Sequence, residues 1–132
     1  MRGKLETIVG AMFAGKTSEL LKRILWAKHQ SKKIVVLKPI IDNRYAQEKI
    51  ITHNDLSHEC FSMKDWKHVK ENFKFNKDFA DMVFLDEIQF MKTDETLENV
   101  EQILNNGIDV VASGLDQDSR GKPWETSSFL LG

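Results

Sequence analysis

The stretch Gly10-Ala11-Met12-Phe13-Ala14-Gly15-Lys16-Thr17 constrains this chain more than any other. It satisfies G-x-x-x-x-G-K-S/T, the pattern of a phosphate-binding loop, which works only between a strand and a helix. Leu5 to Val9 is apolar and β-branched enough to be that strand. Lys16 to Lys28 carries Leu20, Leu21, Ile24 and Leu25 at helical spacing. Gly10 and Gly15 let the backbone curl, so that the N–H groups from Ala11 through Ala14 point inward at phosphate oxygens. The helix that follows adds its positive N-terminal end at the same point. In such a loop Lys16 reaches the β- and γ-phosphates of a nucleotide, and the Thr17 hydroxyl sits on Mg²⁺. The competing reading is a glycine-rich helix entry that binds nothing. A complete pattern with both flanks in place argues against it.

At 132 residues the chain is expected to form one domain with a sizeable core. Lys and Arg number 19 against 20 Asp and Glu, for a formal net charge of −1. That balance speaks against a broad nucleic-acid surface, which needs clustered excess positive charge. Cys60 is the only cysteine, so neither a disulfide framework nor a cysteine-based zinc site is expected. No long apolar segment precedes the first strand, and no run approaches the roughly 18 apolar residues of a membrane span. The expectation is a soluble, cytoplasmic protein without a membrane partner.

The first helix has Glu19 and Arg23 four residues apart on its polar side, while Trp26 and His29 read as packing and solvent residues. Gln30-Ser31-Lys32 breaks the pattern, and Ile34 to Leu37 is a short apolar run typical of a parallel strand covered on both faces. Strand, helix and strand at this spacing make a βαβ unit. Pro39 disfavours helix at Lys38, so the chain is expected to leave the sheet there in an extended loop. That loop carries Asp42 and Arg44 and opens where α/β sheets bind ligands, at the carboxyl ends of the strands. Asp42 and Arg44 suit contacts to metal-bound water or substrate, or equally an ordinary surface ion pair.

Ile50-Ile51-Thr52 and Glu59 to Ser62 read as short strands around a turn at His53-Asn54-Asp55. His53 and His58 have no third ligand at useful spacing and read as loop histidines. Asp65 to Phe73 is a helix whose Trp66, Val69 and Phe73 form a core stripe, with Lys67, Lys70, Lys74 and Lys77 solvated. Met82-Val83-Phe84-Leu85-Asp86-Glu87 is the second strong signal. A buried strand that ends in paired acids delivers one Asp to a Mg²⁺ shell and a second carboxylate to the reacting centre. Thr93 or Asp94 should cap a helix through Leu97, Val100, Ile103 and Leu104, stopped by Gly107. Ile108 to Ala112 is the next strand, and a polar loop from Leu115 to Trp124 follows at its carboxyl end. The fold class is therefore α/β, a mostly parallel sheet flanked by helices in the manner of P-loop nucleotide-binding proteins.

Five blocks of sequence, in order, resemble thymidine kinases of the P-loop type found in bacteria, phages, poxviruses and animal cytosol. They are Met12–Leu21 (MFAGKTSELL), Lys38–Tyr45 (KPIIDNRY), Thr52–Asn54 (THN), Leu85–Phe90 (LDEIQF) and Gly114–Trp124 (GLDQDSRGKPW). The resemblance covers nearly the whole chain. It implies transfer of the ATP γ-phosphate to the 5′-hydroxyl of thymidine, with Glu87 as the general base. Gly10 to Thr17 would hold the phosphates of ATP, with Thr17, Asp86 and Asp42 in or near the shell of a Mg²⁺ ion. Arg44 would steady the transferring phosphoryl group, and Gln89 would help order the metal or the sugar. Met12, Phe90, Leu115 and Trp124 would line the thymine pocket. The resemblance also implies a homotetramer acting on small molecules.

The sequence departs from that pattern at Ser119, where an aromatic residue is usual, which thins one wall of the base pocket. The family continues into a zinc-binding lobe with cysteine ligands and a long loop that closes on thymine; this sequence includes neither. It is thus expected to hold the ATP-binding core, with no zinc. Losing several main-chain contacts at ~1 kcal/mol each would weaken nucleoside binding tenfold or more. An alternative from another class is a nucleotide-binding module without kinase turnover. A motor-like ATPase would need a γ-phosphate sensor and a partner surface, and neither is visible.

Overall fold

A computed structural model describes residues 2–10, 16–40, 49–51 and 57–115. In chain order the elements are β1 (Leu5–Gly10), α1 (Lys16–His29), β2 (Ile34–Pro39), β3 (Lys49–Ile51), β4 (Ser57–Glu59), β5 (Phe61–Met63) and α2 (Trp66–Asn72). After them come β6 (Met82–Leu85), a 3-10 turn (Ile88–Phe90), α3 (Thr93–Asn105) and β7 (Asp109–Leu115). Five strands form one sheet in the order β1-β7-β6-β2-β5, and every neighbouring pair is parallel. The short β3 and β4 pair antiparallel to each other in a separate ribbon.

The apolar runs of β2, β6 and β7 lack polar alternation because both faces of the sheet are covered. On one face, Leu20, Leu21, Ile24 and Ala27 of α1 pack on Val36, Phe84 and Val111. On the other, Trp66 and Val69 of α2 and Val100, Ile103 and Leu104 of α3 pack on Leu37, Val83, Leu85, Val110 and Ala112. Adjacent strand residues thus serve opposite cores, as the two-residue period of a strand requires. A hydrogen bond from the Trp66 indole to the Thr96 hydroxyl, 2.9 Å long and buried, ties α2 to α3. Among the described residues no helix is long and apolar enough to cross a membrane.

Several expectations are refined. The chain stays in the sheet through Pro39, which pairs with Met63. The Ile40 amide donates to Met63 O and the Asp86 amide to Leu37 O, each at 2.9 Å, so the peptide groups of alternate residues face opposite neighbours. Pro39 faces the side where β6 has already ended at Leu85, and its missing N–H breaks no ladder bond. The run from Glu59 to Ser62 is two strands, not one. The chain passes at Cys60 from the ribbon into the main sheet.

α3 begins one residue earlier than expected. Its cap position is Lys92, without a side-chain capping bond, and the acids Asp94 and Glu95 in the first turn complement the helix dipole instead. Its end is as expected. Gly107 has φ 79°, and its amide and that of Ile108 donate to Leu104 O and Ile103 O. This left-handed stop suits glycine. The expected turn at His53-Asn54-Asp55 lies outside the described residues.

Candidate active site

Because β1, β7, β6 and β2 run parallel, their carboxyl ends share one edge of the sheet. Gly10, the last residue of β1, pairs with Leu115 on β7, and Leu85 at the end of β6 pairs with Ala112 on the same strand. β7 therefore separates the strand entering the phosphate-binding loop from the strand carrying the paired acids. Two interstrand spacings of about 4.8 Å put their axes about 9.6 Å apart. α1 starts at Lys16, so the loop feeds directly into a helix N-terminus.

Ala11, Met12, Phe13, Ala14 and Gly15 lie outside the described residues, as do Asp42, Arg44 and Trp124; for Gly10, Lys16, Thr17 and Leu115 the description covers the backbone. The described part of the site is thus Asp86, Glu87, Gln89 and Phe90 with the β7 backbone beneath them.

Asp86 follows β6 directly and is 5% exposed. Its amide continues the ladder to Leu37 O. Phe84 packs toward α1 while Val83 and Leu85 pack the other way, so the alternation places Asp86 on the α1 side of the sheet. Its Oδ1 accepts the Glu87 amide at 2.9 Å.

Glu87 then turns the chain. It has φ 53° and ψ 47°, a left-handed conformation that costs a non-glycine residue about 1–2 kcal/mol. Its Oε2 is buried and has no hydrogen-bond partner. A carboxylate oxygen out of water and unsatisfied is expensive, and so is the backbone that carries it. Strain and an orphaned acceptor thus fall on one residue, at the edge where α/β sheets bind ligands.

The acids fit a magnesium ion. Mg²⁺ is ordinarily held by one or two carboxylates and by substrate phosphates rather than by a complete protein cage.

After Glu87, the 3-10 turn closes with the Phe90 amide on Glu87 O at 3.1 Å and the Met91 amide on Ile88 O at 3.0 Å. Ile88 is fully buried and Gln89 8% exposed, whereas Phe90 is 44% exposed. Phe90 also lines a pocket of about 150 Å³ with Pro39, Met63, Trp66 and Met91.

Two residues of β7 escaped the sequence reading. Ser113 is buried, and its hydroxyl has no partner. It is the next residue after the Leu85–Ala112 pair, opposite Asp86 and on the same face. Gly114 lies under the 3-10 turn, with no room for a side chain. A glycine ending an apolar strand is the signal that points to such a close backbone approach.

The sequence profile of one family, described as Thymidine kinase, matches residues 3–132. A protein named Thymidine kinase from Mycoplasma capricolum subsp. capricolum is 35% identical over 131 residues, covering 98% of this chain and 62% of that relative. The chain therefore spans about three-fifths of the length of the curated relative it matches.

Proposed function

This chain belongs to the thymidine kinase family, and we propose that it carries the catalytic core for transfer of the ATP γ-phosphate to the 5′-hydroxyl of thymidine, giving ADP and the 5′-monophosphate. The observation that carries the reading is Glu87: a buried, unpartnered carboxylate oxygen on a left-handed residue, next to Asp86 and at the edge where the phosphate-binding loop ends β1. Phosphoryl transfer needs positioning and charge neutralisation more than covalent help from the protein, and these groups supply both.

In this reading the backbone of Gly10 to Gly15 and the Lys16 ammonium cradle the ATP phosphates. A bound Mg²⁺ would neutralise charge on the β- and γ-oxygens, with Thr17, Asp86 and Asp42 as its protein neighbours. Glu87 accepts the proton of the nucleoside hydroxyl as its oxygen attacks the γ-phosphorus, and the bridging oxygen leaves with ADP. Arg44 stabilises the transferring group, Gln89 orders the sugar end, and Met12, Phe90, Leu115 and Trp124 enclose the base. The family reading supports a cytoplasmic homotetramer that works on small molecules.

The test is to incubate the protein with Mg²⁺, γ-labelled ATP and, separately, thymidine, deoxycytidine, deoxyadenosine and deoxyguanosine. Label should pass to thymidine in preference to the other three. ATP binding by calorimetry with no label on any nucleoside would contradict the kinase reading and favour a nucleotide-binding module.

A further inference from the structure

We infer that Gly114 is a positioning residue that sets the height of the Glu87 carboxylate above the sheet; the inference rests on Glu87 being the general base. Glu87 stands at the head of the 3-10 turn Ile88–Phe90, and that turn lies directly on the end of β7. A Cβ on Gly114 would lie 2.6 Å from Ile88 Cγ1, 2.6 Å from Gln89 Oε1 and 3.3 Å from the Ile88 backbone nitrogen. The first two separations are too short for any real contact. The Gln89 amide is the end of a flexible side chain and can swing away. The Ile88 side chain is fully buried in the same core cluster as Met91, Val110 and Ala112, and its backbone nitrogen cannot move without the turn.

The turn moves as a unit because the Phe90 amide is bonded to Glu87 O and the Met91 amide to Ile88 O. A side chain at position 114 would therefore lift Ile88, and Glu87 with it. The base must come within hydrogen-bond reach of the hydroxyl it deprotonates, about 2.6–3.2 Å. A displacement of ~1 Å can cost about 100-fold in rate. Ile88 packs in the core on the α2/α3 face of the sheet, whereas the helix that follows the phosphate-binding loop packs on the opposite face, so ATP binding should not register the change.

The fit is between Gly114 and Ile88, which makes it testable by compensation. Ile88→Ala removes Cγ1 and opens the space that an alanine at 114 would fill. Gly114→Ala, Ile88→Ala, the double variant and Glu87→Gln are compared for kcat and KM, and for amide hydrogen exchange at Phe90 and Met91. Exchange at Ile103 and Val110 serves as the fold control. Gly114→Ala should lower kcat about 10–100-fold with KM for ATP within about twofold. It should speed exchange at Phe90 and Met91 at least tenfold and leave Ile103 and Val110 unchanged. Adding Ile88→Ala should recover a large part of both losses. Unaltered exchange and kcat in Gly114→Ala would overturn the inference. Loosened exchange with full kcat, where Glu87→Gln is inactive, would also overturn it while leaving the general base in place. Full turnover by Glu87→Gln would instead remove the general base itself.

Discussion

Asp86 Oδ1 accepts the amide hydrogen of Glu87 at 2.9 Å, so the first acid of the pair holds the backbone from which the second projects. The two acids are held differently. Asp86 is anchored in the ladder through Leu37 and faces α1, whereas Glu87 leaves the strand in a left-handed turn and reaches the edge of the sheet. Two neighbours on an ideal strand would point to opposite faces. The left-handed turn takes Glu87 off that alternation.

That conformation predicts a separation of stability from activity. Glu87→Gly removes a left-handed strain of about 1–2 kcal/mol and a buried unsatisfied oxygen, against an unfolded-state entropy penalty of about 0.4–1 kcal/mol. Denaturant unfolding should show the variant equal to the parent or up to about 1 kcal/mol more stable. Phosphoryl transfer should be lost. A variant destabilised by more than about 1 kcal/mol would mean that the Glu87 side chain holds the fold and is not kept for a ligand.

Much of this arrangement was legible in the residues, and what was not has a physical reason. The motif's flanks, which switch from strand to helical periodicity, located the end of β1 and the start of α1. The apolar run into Asp86 identified the end of β6 in the same way. Strand order was not legible. That β7 inserts between β1 and β6, and β6 and β2 lie side by side, depends on which faces the helices cover. No local pattern in Ile108 to Leu115 records its neighbours. The split at Cys60 was hidden because two three-residue strands offer too short a window for periodicity. Glu87's left-handed backbone was invisible because glutamate rarely adopts it.

The Trp66–Thr96 bond predicts a measurable coupling between α2 and α3. Thr96→Val keeps the shape but leaves the buried indole N–H without its acceptor, and should cost about 1–3 kcal/mol. Trp66→Phe in the same background removes the orphaned donor, so the double variant should lose less than the two single losses summed. Additive losses in urea unfolding would show that the 2.9 Å bond does not link the helices.

Arg2 grips Glu101 with both terminal guanidinium nitrogens, Nη1 and Nη2, at 2.5 and 2.8 Å, fastening the segment before β1 to α3. The hydrogen bond from Arg2 holds the Glu101 carboxyl below its ordinary value, with direct charge attraction adding to it. A depressed carboxylate contributes stability above its unfolded-state pKa and loses it as pH falls through the folded one. The stability gap between the parent and Glu101→Gln should therefore be open at neutral pH and close in the acid range. It should also shrink in molar salt, because the pair is exposed. A gap that persists through acid would assign the effect to something other than this pair.

The most direct test of the account is Mg·ATP-dependent conversion of labelled thymidine to its monophosphate by the parent chain and by Glu87→Gln, with ATP affinity measured alongside. The expected result is turnover by the parent, a loss of at least about 100-fold in kcat in the variant, and ATP affinity within about twofold, since general-base catalysis contributes about 10²–10⁴. Turnover undiminished in Glu87→Gln would contradict it, because the strained, buried carboxylate beside Asp86 would then have no part in the chemistry.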